Sequence, residues 1–384
     1  MKLAKSIDRL GTETAFEVLA KAKKLEAQGK EIVHLEIGEP DFETPNHIKE
    51  AAKKALDDNY THYVPSPGLM EVREVIAEHQ SEVHSKIISP ENVVFTPGAK
   101  PIMFFTIMAL IEAGDEVIYP NPGFPIYESM INYVGGKAVP MELKEEKEFN
   151  ADVDLIEESI TDKTKLIILN SPNNPCGSVM YPSDIKRIAD IAKEKDILIL
   201  TDEVYKDLYF EGSHTSVYDF EGMEDNVVIL DGFSKSYAMT GWRLGYGIFP
   251  NKLVEPISRL VTNSVSCTSA FSQKAAAAAI QGPQDSVKMM LKEFKERSKI
   301  VVDGFNAING ISCIQPKGAF YAFPNIKDTG YKSQELSDAL LNQGVAVLPG
   351  TSFGKYGEGY LRISFANSRE NLNKALKIIK EFLD

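Results

Sequence analysis

Short β-branched runs recur along the chain: NVVFTP at 92–97, DEVIYP at 115–120, KLIILNSP at 165–172, ILILTDE at 197–203, NVVILDGF at 226–233 and RLGYGIF at 243–249. Apolar runs of this length suit parallel strands buried on both faces. Longer helical patterns lie between them. One opens at Ser183, read as an N-cap, and carries Ile185, Ile188, Ala189 and Ala192 on one face. Strand–helix–strand alternation predicts an α/β fold, a mostly parallel sheet flanked by helices. Ligands of such sheets lie off the carboxyl ends of the strands, where loops meet helix N-termini. Four of the runs end there in polar or Gly/Pro groups, TPGAK, NSPNN, TDEVY and DGFSK. Chemistry is sought at those ends.

The last hundred residues change character. A charged helical stretch at 285–306 leads to GISCIQPKGAFYAF, a helix near 333–343, the strand pair GVAVLPG and YLRISFA, and a final helix. Strands beside helices suggest a smaller α+β domain, which the N-terminal segment joins through HLEIGEPDF and Gly38. The expected division is an N-terminal arm and part of the small domain at 1–44, a large domain at 45–282, and a small C-terminal domain at 283–384. A length of 384 residues suits about two domains.

With 42 Lys+Arg against 55 Asp+Glu, the net charge of −13 leaves no basic surplus for a nucleic-acid backbone. Cys176, Cys267 and Cys313 stand far apart and spell neither a disulfide framework nor a zinc site, which fits a reducing compartment. The N-terminus carries Asp8, Arg9 and Glu13 where a signal peptide would be apolar. The most apolar run, Ile102–Ile111, is about half of what a bilayer span needs. A cytoplasmic protein is expected. The histidines lack metal spacing, and the phosphate-loop, GxSxG and full GxGxxG patterns are absent, GYGIFP lacking the third glycine.

Each candidate residue has an ordinary reading beside the functional one. Lys235 sits among Ser234, Ser236 and glycines with Arg243 eight positions on; a loop lysine is usually a solvated charge, but an amine plus an anion-binding arginine suits an aldehyde that carries a phosphate. Asp202 at a strand end could cap a helix, or hold a heteroaromatic ring nitrogen protonated while Tyr205 donates to a ring oxygen. Gly98 and Ala99 turn a strand into a helix whose free amides could seat a phosphate. Lys100 opposes the dipole of that helix, so it is either solvated or facing an anion. SPNNPCG is a turn by composition, yet its position would let Asn174 donate to a ring oxygen. Arg362 lies in an apolar strand, where a charge needs either an internal carboxylate or a ligand's carboxylate.

Taken in order, IGEPDFETP, THYVPSPG, TPGAK, NSPNNPCG, TDEVY, SKSYAMTGWRLGY and LRISFANS resemble the class I/II pyridoxal-phosphate aminotransferases of the aspartate/aromatic type, over nearly the whole chain. The resemblance implies fold type I with a seven-stranded sheet, pyridoxal 5′-phosphate as cofactor, and ping-pong transfer of an amino group to a 2-oxo acid. It implies that Lys235 bonds the cofactor and serves as acid and base, Asp202 pairs with the ring nitrogen, and Tyr205 and Asn174 bond the ring's 3-oxygen. Arg243, Ser234 and the amides of Gly98, Ala99 and Lys100 would hold the phosphate, and Phe124 would stack on the ring. Arg362, Gly38 and Asn174 would hold the substrate α-carboxylate. Tyr63 resembles the tyrosine that reaches the phosphate of a neighbouring subunit, which implies a homodimer with shared sites.

Lys100, with Thr12 near it, resembles the lysine that meets a distal carboxylate, which favours aspartate or glutamate with 2-oxoglutarate or oxaloacetate; Phe16, Phe124 and Tyr63 would equally line an aromatic pocket. Two positions depart from the pattern: Gly232 where some relatives carry a phosphate-binding serine, and Cys176 where a threonine is usual. A C–S lyase of the same fold shares the lysine segment. A regulator built on this body would need a helix-turn-helix ahead of it, and here the family-like pattern begins almost at Met1.

Overall fold

A computed structural model describes all 384 residues. The strands are β1 (Val33–His34), β2 (Val93–Thr96), β3 (Glu116–Asn121), β4 (Lys137–Glu142), β5 (Thr164–Asn170), β6 (Leu198–Asp202), β7 (Val227–Gly232), β8 (Gly245–Ile248), β9 (Tyr321–Ala322), β10 (Val345–Ala346), β11 (Leu348–Pro349) and β12 (Leu361–Ser364). Seven form one sheet in the order β2-β8-β7-β6-β5-β3-β4. Alternate residues of its strands point to opposite faces, and both faces are covered. Ile167, Ile199 and Ile229 enter one apolar cluster, while Leu166, Ile168, Leu200 and Val228 enter another. Double coverage explains why these strands read as continuous apolar runs.

Three details depart from the sequence expectation. RLGYGIF was expected among the parallel strands, but β8 runs antiparallel to both β2 and β7. The link from β7 to β8, residues 233–244, holds only a short 3-10 turn, Thr240–Trp242, and lacks the helix that usually carries a parallel crossover over a face of the sheet. KAVPME, which gave no strand signal because Pro140 interrupts it, forms β4 at the sheet's edge, where a missing amide donor is tolerated. Ser183 is not the cap of its helix. That helix is Pro182–Glu194, flanked by Tyr181, with proline in the first turn where its missing donor costs nothing.

A second core is built from β1, β9, β10 and β12 with the helices Asp285–Asn306, Ser333–Gln343 and Arg369–Leu383. GVAVLPG divides: β10 pairs in parallel with β1, while β11 pairs antiparallel with β12. Val33, Leu35, Phe320, Leu340, Ile363 and Phe365 meet in that core, so the N-terminal strand is tied to the far end of the chain. Beyond β1 the chain brings Gly38 against Tyr321 of β9. No helix is long and apolar enough to cross a membrane.

Candidate active site

The carboxyl ends of β2, β3, β5, β6 and β7 open onto one cavity of about 590 Å3, closed from the other side by Gly38, Tyr321 and Arg362. It is lined by Ala99, Lys100, Phe124, Asn174, Asp202, Tyr205, Ser234, Lys235 and Arg243. Those residues come from five separate stretches of chain. Gly98 borders it, since a Cβ there would collide with the Arg243 guanidinium. Tyr63 lies elsewhere, 89% exposed, in a concavity with Tyr60, Cys267 and Phe271. Phe16 lines the cavity mouth and Thr12 is not among its lining residues.

Lys235 follows β7, and its Nζ donates to the Gly38 carbonyl at 2.6 Å. Burial draws its pKa down to about 8; the Glu13 carboxylate opposes the shift and Arg362 adds to it. An amine at that value is partly neutral near pH 7, so it can take or give a proton.

Asp202 closes β6 and is buried. Burial raises its pKa to about 6, against the Tyr127 hydroxyl, which donates to Oδ2 at 2.5 Å, and the Val204 amide, which donates to Oδ1 at 3.3 Å. A cation beside it would bring the value back down. Asn170, at the end of β5, donates from Nδ2 to the Asp202 carbonyl at 3.1 Å and accepts the Asn174 amide at 2.9 Å on Oδ1. One side chain thus fixes the carboxylate's backbone and the NNP turn together. Tyr205 shares a 2.8 Å hydrogen bond with Tyr321. Neither Asn170, Tyr127 nor Tyr321 was singled out from sequence. Tyr127, three residues after Phe124 in NPGFPIY at the start of a helix, carried the most usable signal.

The helix Lys100–Leu110 starts after Gly98 and Ala99 with no side-chain cap and no acidic residue in its first turn, so its leading amides are free for an anion. Arg243 lies across this turn, its Nη1 donating to the Thr240 carbonyl at 2.9 Å. Gly245 must be glycine because a Cβ would strike the Ala99 amide, and Gly232 packs against Leu244 and Ala99. A helix start and a guanidinium therefore meet at one spot, with Ser234 lining the same cavity, a setting whose chemistry suits a phosphate. Lys100 has found an anion in its own chain. Its ammonium pairs with Glu13 and lies 5.3 Å from the Phe124 ring.

Arg362 is 4% exposed and pairs with no Asp or Glu side chain. Its Nη1 donates to Asn174 Oδ1 at 3.3 Å, its Nη2 to the Glu36 carbonyl, and its Nε has no partner. Tyr321 and Phe353 stack on it at 4.6 and 4.9 Å. Cation–π contacts contribute about 1–2 kcal/mol, whereas a buried, uncompensated charge costs several. The difference calls for an anion from outside the chain. No cluster of three or more His, Cys, Asp or Glu side chains is placed to hold a metal.

An amine, a buried carboxylate, a helix start beside a guanidinium, and a buried arginine without a carboxylate partner, all in one cavity, suit a phosphorylated pyridine aldehyde and an amino acid. The family profile described as aminotransferase class I and II matches residues 30–379. An aspartate aminotransferase of Pyrococcus abyssi is 40% identical over 98% of this chain and 97% of its own length. Aromatic-amino-acid aminotransferase 2 of Thermococcus litoralis is 40% identical over 92% of this chain and 94% of its own. The solved aspartate aminotransferase of Thermus thermophilus with maleate superposes with a TM-score of 0.95 at 33% identity, covering 99% of both chains. The chain belongs to the class I and II aminotransferases. It is a pyridoxal-phosphate-dependent enzyme that moves amino groups, as that membership entails.

Proposed function

We propose that this enzyme takes the amino group of an L-amino acid, aspartate or glutamate by preference and aromatic amino acids as well, and delivers it to a 2-oxo acid such as 2-oxoglutarate. The observation that carries this reading is Arg362, buried without a carboxylate of its own and facing the same cavity as the amine of Lys235. The bound cofactor supplies an aldehyde that links to amines and a ring that takes up the charge released at the substrate's Cα.

Every other task would fall to this chain's own groups. Arg243, Ser234 and the amides of Gly98, Ala99 and Lys100 would hold the phosphate, Phe124 would pack on the ring, Asn174 and Tyr205 would donate to its oxygen, and Asp202 would keep a proton on its nitrogen. Arg362, with Gly38 and Asn174 beside it, clamps the α-carboxylate as a planar fork and turns the Cα–H bond toward Lys235 Nζ, so that deprotonation is favoured over loss of the carboxylate. Lys235 then removes the Cα proton.

We assign a homodimer, with Tyr63 of each protomer serving its partner's phosphate; its 89% exposure and its place outside its own cavity support this. Three free thiols support a cytoplasmic location. The divisions at 44/45 and 282/283 remain our assignment, supported by the core that joins β1 to the last hundred residues. As a test, purified enzyme is mixed with single amino acids without an acceptor. Aspartate or glutamate should change the cofactor's absorbance with release of one 2-oxo acid per site, and 2-oxoglutarate should restore it. No change with any L-amino acid would overturn the reading.

A further inference from the structure

The ion pair between Glu13 and Lys100 lines the same cavity as Lys235 and Arg362 and is partly open to solvent, within reach of the side chain of a substrate bound there. Lys100 opens a helix with no acidic residue in its first turn, so its charge opposes the helix dipole and gains from a nearby anion. Glu13 provides that anion from 87 positions away, out of the segment before the helix Ala15–Glu26. The carboxylate is the more enclosed partner, with its side chain 25% exposed against 45% for the lysine. Phe124 lies under the ammonium and Phe16 stands one helical turn beyond Glu13 at the rim.

We propose that Glu13 is a specificity-determining residue, an internal counter-ion that occupies Lys100 while the substrate side chain is neutral or aromatic and gives way when that side chain is a carboxylate. This rests on the transaminase reading of the cavity and extends it to the choice between acidic and neutral substrates. A lone ammonium at the rim would attract a distal carboxylate and penalise an apolar side chain laid against it. Neutralised by Glu13, the same ammonium lets an apolar group lie between Phe16 and Phe124. The acidic substrate must instead exchange one carboxylate for another, and its gain is reduced by the strength of the resident pair. For a pair of this exposure the reduction amounts to about fivefold in affinity. Both charges are felt at Lys235 as well, Glu13 raising its proton affinity and Lys100 lowering it, which places the pair within electrostatic reach of the reacting amine.

The test uses holoenzyme and two unreactive probes, maleate as a dicarboxylate and 3-phenylpropanoate as an apolar monocarboxylate, titrated by calorimetry. Glu13→Gln should tighten maleate about fivefold and weaken 3-phenylpropanoate. Lys100→Ala should weaken maleate, and in that background Glu13→Gln should no longer affect it. An unchanged ratio of the two affinities in Glu13→Gln, or the same gain with Lys100 already removed, would overturn the proposal. Amino-group transfer by the wild-type enzyme is scored separately. Its absence would defeat the transaminase reading whatever the probes do, and its presence with an unmoved ratio would defeat this proposal alone.

Discussion

Asp202 and Glu203 are neighbours in sequence, both buried, yet their proton affinities move in opposite directions. Burial raises both; Asp202 ends at about 6, whereas Glu203 is drawn down to about 2 because His214, His84 and the Ser216 hydroxyl favour its ionised form. The consequences for stability differ in sign. Glu203 stabilises the fold above its unfolded pKa and that contribution is lost as the pH falls toward 2, whereas Asp202 in cofactor-free protein favours the fold below about 3.8 and loses that contribution as the pH rises through 6. Cofactor-free Asp202→Asn should therefore gain on wild type between pH 4 and pH 7, by on the order of 3 kcal/mol in denaturant melts. Tyr127→Phe removes the donor to Asp202 Oδ2 and should push the acid limb of amino transfer to higher pH, read from the pH profile of the single half-reaction. Lys235→Ala should retain cofactor in dialysis and lose turnover by several orders of magnitude. Lys235, Asp202 and Arg362 were legible in sequence because each breaks a local rule, a charge where an apolar run or a small-residue turn leads one to expect none. Tyr127 and Asn170 broke no rule, and only the packing of the helix Ile126–Val134 and of β5 against the end of β6 revealed what they hold.

At the scale of elements, the strand ends decide what meets what. A polar link ties three of them together below the cavity floor. Asp231, one residue before the end of β7, pairs with Lys206 beyond β6 and accepts the Tyr246 hydroxyl of β8 at 2.5 Å. Removing one partner of a buried ion pair costs about 3–5 kcal/mol, so Asp231→Ala should lower stability by that amount in urea titration. Gly98 has a φ of +88° and touches Arg243 where a Cβ would go. Gly98→Ala should weaken cofactor binding at least about tenfold in a fluorescence titration while the far-ultraviolet circular dichroism stays unchanged. Apolar runs announced most of these strands. Their direction was less legible, because nothing in RLGYGIF distinguishes a parallel strand from an antiparallel one, and the information lies in the preceding link, which holds no helix to cross a face of the sheet. Pro140 likewise hid β4, since an edge position is a tertiary fact.

For the molecule as a whole, the second core is the part that sequence pattern described least well. Its strands have two to four residues, too short for periodicity, and β1 is paired with β10 more than 300 positions away. What could be read was the change of texture after residue 282. If each protomer's Tyr63 completes its partner's site, two defective enzymes should rescue each other. Lys235→Ala and Tyr63→Ala subunits refolded together should give roughly a quarter of wild-type activity, from mixed dimers with one whole site, while either alone stays far below.

The reversed strand β8 has a practical meaning for anyone who wishes to rebuild this enzyme. Because β8 returns antiparallel beside β7, Lys235 and Arg243 travel on one return, residues 233–244, bounded at both ends by glycines packed too closely for a larger residue. That return is a transplantable cassette: an engineer could exchange it whole between relatives, provided Ala99 stays small and the receiving scaffold keeps its carboxylate at the end of the adjacent strand.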